Sequence, residues 1–305
     1  MNNVPRHKTS GRLGCSFVAV ACLIVVVVLL VVLAPMLCRR SREAFLRAEI
    51  DKVRADGATG RVYALRPEHV EALVNDPVCR DRVLEVLITG DFADVNDKRF
   101  YALKQLPKLK AIHLEYVGCV DNFFEGIQGA KSLEEITLHR AGVSDKGMRY
   151  ILDFPNLKRL SFDERTPLSC LQTLKGNPKI ESLGLYEYDA SADELQFIKS
   201  LPNLRELSLE LDLKDGGELD LHGLSKLEEL NLGGSLATDS AMSSIKDMTT
   251  LIILRLEGRQ ITDAGLRRLN SLKSLKKLHL SFTQVTHQGI IDLQKALPDC
   301  EVEGW

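Results

Sequence analysis

Counting from Leu109 as place one, apolar residues occupy places one, four and six, and the same LxxLxL spacing begins again at Leu133, Leu157, Ile180, Leu204, Leu227, Leu251 and Leu275. An earlier copy starts at Val83 with Val86 and Ile88, its loop two residues longer. Residues 83–298 are therefore nine copies of one unit of 23 to 26 residues. Within a unit the LxL alternation has period two, which makes a short strand, and the GLxxLxxL spacing that follows belongs to a helix of about two turns. Such a helix is too short to stand alone, so the units must stack and bury one another's apolar faces.

Between strand and helix several units carry one phrase, written GRQITDAGL at Gly258–Leu266 and FTQVTHQGI at Phe282–Ile290. Thr262 is placed to cap the helix, accepting from an unpaired amide of the first turn, and Asp263 adds a favourable charge at the positive end of the helix. Ser144, Thr238 and Thr286 repeat the cap, and Ser191 with Glu194 has the spacing of a capping box. Gly147, Gly265 and Gly289 would each cost roughly 1 kcal/mol inside an ordinary helix, so the coils are expected to approach too closely there for a side chain. No GxGxxG or GxxxxGKS pattern is present, and the phrase reads as architecture rather than a nucleotide site.

Two units depart from the phrase. FDERTPLSC and LELDLKDGGELDLHG stand where it is expected, and the acids Asp212, Asp215, Glu218 and Asp220 of the second do not fall at the one, three, five spacing of a calcium loop.

Strands stacked at about 4.8 Å make equivalent residues of successive units neighbours on the concave surface. Places three, five, seven and eight collect the acids Glu85, Glu115, Glu135, Asp163, Glu164, Glu187, Glu206, Glu210, Glu229 and Glu257, against the bases Arg140, Arg159, Arg255 and Lys277. A negative concave face is expected, with Tyr116, Tyr186 and Phe282 as anchors for a partner. Place seven of three consecutive units reads Glu115, His139, Asp163, a row that serves as a surface charge ladder or, as the sharper alternative, a metal or acid/base site with His113 as its one helper.

Ahead of the repeats, Leu13 to Leu37 contains no charged residue and is long enough to cross a bilayer as a helix. Residues 1–12 form a short basic tail, 38–56 a juxtamembrane helix, 57–82 an N-terminal capping segment and 299–305 a C-terminal cap. Basic residues flank the span on both sides, with a slight lean toward a cytoplasmic C-terminal body. The formal charge of −2 hides a basic tail and a mildly acidic body, which argues against nucleic-acid binding. The seven cysteines show no CxxC or Cys/His metal spacing and read as buried thiols used as small hydrophobes.

The unit LKKLHLSFTQVTHQGIIDLQKALP resembles leucine-rich repeats, in particular those of short-repeat, membrane-anchored bacterial proteins, and is related to the repeats of F-box receptors. RAEIDKVRADGATGRVYA with VEALVNDPVCRDRVLEVLI is similar to the lead-in of such arrays, and LQKALPDCEVEGW to their terminal unit, in which Trp305 would cover the open core. The resemblance implies an α/β leucine-rich-repeat solenoid, a horseshoe, preceded by one transmembrane helix. It implies non-catalytic protein binding through the concave sheet; the acids of that face add the expectation of a partner with a basic or mixed-charge surface, and no cofactor is expected. The partner-binding candidates are Glu115, Tyr116, Glu135, His139, Asp163, Tyr186, Glu206, Glu210, Glu229, Arg255, Glu257 and Phe282. A self-associating envelope protein is the alternative; a substrate-recruiting receptor or a metal-dependent enzyme has less to support it.

Overall fold

The computed structural model describes residues 61–304 apart from Ala64, residues 91–93 and Asp215. The basic tail, the apolar span at 13–37, the juxtamembrane helix and Trp305 lie outside the described residues. Among the described residues no helix is long and apolar enough to cross a membrane.

Eleven parallel strands form one sheet in which spatial order equals chain order. They are β1 (Arg61–Val62), β2 (Glu85–Thr89), β3 (Ala111–Glu115), β4 (Glu135–His139), β5 (Arg159–Asp163), β6 (Ser182–Ala190), β7 (Glu206–Leu213), β8 (Glu229–Gly234), β9 (Ile253–Glu257), β10 (Lys277–Ser281) and β11 (Glu301–Glu303). The register follows the repeat, pairing Ile112 with Ile136 and Leu160 with Leu183. Where each strand begins, one carbonyl accepts from two successive amides of the next coil, as Lys110 does from Glu134 and Glu135.

Places one, four and six of every unit point inward, so that Leu109, Ile112 and Leu114 and their equivalents up to Leu275, Leu278 and Leu280 are at most 2% exposed. Burying one such side chain contributes roughly 1.5–3 kcal/mol, and the ladder repeats it along the array. The N-terminal half adds an aromatic spine, Phe100, Phe123, Phe124 and Phe154, in edge-to-face steps of 5.3 to 6.4 Å. This register and the LxxLxL marker together define a leucine-rich-repeat solenoid.

The helical layer differs from the expected two-turn helices. It ranges from the ten residues of His287–Ala296 down to four at Leu168–Leu171 and Met242–Ile245, with 3-10 turns at Lys98–Gln105 and Asp193–Ser200. After strand and corners a coil has few residues left to cross the core, and a 3-10 helix covers more length per residue than an α-helix. Between β7 and β8 the described residues contain no helix at all.

The phrase at the corner works across coils as well as within one. Thr262 accepts from the amide of Ala264, and Thr286 from that of Gly289, as expected of caps. Asp263, however, reaches into the next coil, where it accepts from the amide of Thr286 at 2.8 Å and from its hydroxyl at 2.7 Å. Asp239 does the same for Thr262, and Asp121 for Ser144. A methyl group on Gly147, Gly265 or Gly289 would collide with the Oδ1 of Asp121, Asp239 or Asp263 respectively. The close approach read from these glycines is therefore to the aspartate of the preceding phrase. Thr238 caps differently: its Oγ1 accepts from Ala241, ahead of a helix that starts at Met242. Ser191 and Glu194 form the reciprocal box, at the head of a 3-10 turn.

Candidate functional site

Places three, five and seven leave the side chains of β2 to β10 on the open face of the sheet, half-buried or exposed, with a few exceptions. The main one is Asp163. It is 1% exposed and accepts from the amides of Arg140 and Arg165 (3.1 Å for the latter), with His139 Nδ1 at 3.5 Å from its Oδ2. The sequence places it on the accessible surface; the structure turns it inward because the coil after β5 lacks the capping phrase, and its carboxylate pairs the corner amides instead. It is therefore removed from the partner-contacting set.

Five of the ten acids counted on the face, Glu85, Glu135, Asp163, Glu187 and Glu229, lie within 4 Å of a basic nitrogen. Glu135 binds Arg159 Nε at 2.8 Å, Glu229 binds Arg255, and Glu85 receives Arg61 Nε at 2.6 Å, with His113 Nε2 3.1 Å away in a geometry that makes no hydrogen bond. Lys277 lies within 4 Å of both Glu301 and Glu303. Counting charges by place misses the partners of Glu85 and Lys277 because Arg61 and the acids of β11 lie outside the nine repeats. Among the described residues Glu115, Glu206, Glu210 and Glu257 make no ion pair.

At place eight Tyr116, Arg140, Glu187 and Phe282 have φ of 54°, 50°, 60° and 52°, three of them just past their strands and Glu187 at the irregularity within β6. The equivalent place, at the end of β8, is Gly234, with φ 66°. A side-chain-bearing residue in this left-handed region costs about 1–2 kcal/mol relative to glycine. Phe282 is nevertheless 74% exposed and Tyr116 53%. Tyr116 stands edge-on to His139 at 5.6 Å, with the Arg140 guanidinium 5.5 Å from its ring centre, and Arg140 approaches Glu187 at 3.9 Å. Of the row Glu115, His139, Asp163, Glu115 and His139 are register partners without an ion pair, and the β4–β5 register ends before His139, whose ring instead faces the buried carboxylate of Asp163.

Tyr186, Glu206, Glu229 and Arg255 converge on a trough of about 410 Å³ in the middle of the face. Its floor is Ser161, Gly184 and Ser208, and Asn231 closes one side, its amide donating to Ser208 Oγ at 3.0 Å and Glu210 Oε1 at 2.9 Å. The sequence reading passed over this floor because small residues at place five carry no signal by themselves. Glu257 and Phe282 lie apart from the trough, on β9 and just after β10.

Of the described cysteines, Cys79, Cys170 and Cys300 are buried and in no disulfide, whereas Cys119 is exposed, unlike the expected small hydrophobe. Burial, reinforced by Asp145, pushes the Cys170 thiol up to about 11. Among the described residues no three His, Cys, Asp or Glu side chains gather as a metal site would require.

No family model matches the chain. No curated protein matches it either. Similar solved structures include an internalin, InlF, of Listeria monocytogenes, 13% identical, covering 77% of this chain and 88% of that one, with a TM-score of 0.42. A Bacteroides fragilis protein is 14% identical over 77% of this chain and 68% of its own, with a TM-score of 0.45. Internalin C2 of Listeria monocytogenes is 19% identical over 68% and 84%, with a TM-score of 0.43.

Proposed function

We propose that this chain is a membrane-anchored, non-catalytic module that binds a protein partner on the open face of its sheet. The observation that carries the reading is the corner row: Tyr116 and Phe282 occupy left-handed backbone where glycine is the relaxed choice, yet direct large side chains into solvent. Strain of this kind is retained where a contact outside the fold compensates it. Exposed aromatics and an arginine are also the residue types that dominate binding energy at protein interfaces. Glu115, Glu206, Glu210 and Glu257 fit a partner that brings basic groups, and the apolar run at 13–37 supplies the anchor, with the body leaning to the cytoplasmic side.

The test is affinity capture with the full-length chain in detergent, from its own source. Phe282→Gly together with Tyr116→Ala should lower recovery of the captured protein at least tenfold, while Lys175→Glu on the helical side leaves it unchanged. Phe282→Gly alone should leave thermal stability equal or slightly raised. Recovery indifferent to the double substitution refutes the open face as the binding surface. Extraction at alkaline pH should leave the full chain in the membrane pellet and release a variant lacking residues 13–37; release of both would remove the anchor.

A further inference from the structure

The trough at the centre of the open face has a more definite chemistry than the face as a whole. Its charged lining consists of Glu206, Glu229 and Arg255, and the last two are bound to each other. Arg159 on β5 is held by Glu135, and its charge also acts on Glu206 without closing an ion pair. The trough therefore carries one net negative charge, centred on the exposed carboxylate of Glu206, which has no ion pair among the described residues.

The rest of the lining presents acceptors and one flat wall. The Asn231 amide group donates to Ser208 and Glu210, which leaves its carbonyl oxygen to accept from elsewhere. The Tyr186 ring folds down over Gly184: a methyl group there would lie 2.8 Å from Cε2 and 3.0 Å from the hydroxyl, and 2.9 Å from Ser161 Oγ. Gly184 is thus what lets the ring lie along the sheet rather than stand off it. A ligand that fits must be singly cationic, rich in donors and able to lie flat against an aromatic ring. A guanidinium has this combination, with a planar fork for a carboxylate and a face for the ring. An ammonium satisfies the charge alone.

We infer that the trough lined by Tyr186, Glu206, Ser208 and Asn231 receives a single arginine side chain of the partner protein. This rests on the open-face reading and specifies its central contact. Glu206 takes the guanidinium fork, the Tyr186 ring packs along its plane, and Asn231 and the serine hydroxyls take the remaining N–H groups. The volume also accommodates the backbone on either side of the arginine, so the partner lays a segment of chain across the strands.

The probe is N-acetyl-arginine methylamide, observed by saturation-transfer NMR on the full-length chain in detergent, beside its lysine and citrulline counterparts. Citrulline keeps the shape and loses the charge. The expected result is a saturable signal for arginine, at least fivefold weaker for lysine and absent for citrulline. Glu206→Gln and Ser208→Leu, which fills the floor without touching a charge, should each abolish it, while Glu71→Gln, an exposed acid on the helix Pro67–Asn75 away from the open face, leaves it intact. Circular dichroism melting confirms that each variant is folded, and Ser208→Thr serves as the milder floor variant if leucine is not tolerated. Equal signals for arginine and citrulline, or equal loss from Glu206→Gln and Glu71→Gln, overturn the proposal. A trough that fails the probe while capture still depends on Tyr116 and Phe282 removes the arginine site and keeps the open face; capture indifferent to those two removes the face itself.

Discussion

Coils that carry the T-D-x-G phrase and the coils between Leu157 and Lys226 extend one sheet by different means. In the former, Asp239 and Asp263 each take the amide and hydroxyl of the next coil's cap, and Gly265 and Gly289 make room for them. In the latter the cap position is Pro167, which has no N–H, and Cys170 stands where the glycine would be. Contacts particular to that region replace the phrase. Asp163 pairs the corner amides, the Tyr188 hydroxyl donates to the Thr166 carbonyl at 2.9 Å, and β6 and β7 lengthen to nine and eight residues. A repeated corner makes coils interchangeable; an individual corner makes one coil distinct. The trough spans the boundary, with Ser161, Gly184, Tyr186, Glu206 and Ser208 on the distinct coils and Glu229, Asn231 and Arg255 on β8 and β9 of coils that carry the phrase.

The largest effect that would sharpen this contrast is at Gly265. Alanine there should gain about 1 kcal/mol in intrinsic helix propensity. It should nevertheless lower stability by roughly 2 kcal/mol, because its methyl group overlaps the Asp239 carboxylate and must displace it. Urea unfolding that shows a net gain would mean that the aspartate contact contributes nothing.

Next comes a matched pair. Asp263→Ala removes both bonds to Thr286 and should cost about 1–2 kcal/mol. Asp145→Ala, at the same place of a coil whose successor begins with Pro167, should cost less than about 0.5 kcal/mol, since no cap amide awaits it. Equal losses in denaturant midpoint would break the comparison.

The smallest effect is a pH dependence in the distinct region. The Lys214 ammonium, aided by the amide and hydroxyl of Ser191, lowers the Glu194 carboxyl from its ordinary 4.5 to about 2. Its contribution is present in full above about pH 4.5 and is lost as pH falls toward 2. The group is exposed, so screening keeps the effect small. Glu194→Gln should lower the melting temperature slightly at pH 7, and the difference from the parent chain should vanish near pH 2. A difference that persists at pH 2 would assign the loss to packing instead.

Much of the fold was legible because the repeat states it many times over. A strand at Leu278 or Leu160 follows from spacing alone, and the caps at Thr262 and Thr286 from residue type. What the spacing did not carry was contact between coils. Asp263 read as a helix-dipole charge because a single unit contains no hint of the Thr286 amide that lies 23 residues on. The same blindness affected the open face: Asp163 counted as exposed, and Glu229 as one more acid, although Arg255, on the next strand and one diagonal step away, pairs with it. The trough was invisible for a further reason, that its floor is defined by the side chains Ser161, Gly184 and Ser208 lack.

The aspartate contacts also give the array a direction. Each carboxylate serves the coil that follows it and never the one before, so the two ends of a cut are unequal. Removing coils from the C-terminal side leaves behind an aspartate in water, a harmless outcome for a charged group. Removing them from the N-terminal side leaves a threonine amide and hydroxyl without their acceptor at the head of a helix. Versions of this chain shortened from the C-terminal side should therefore keep more of their stability than versions that lose the same number of coils from the N-terminal side.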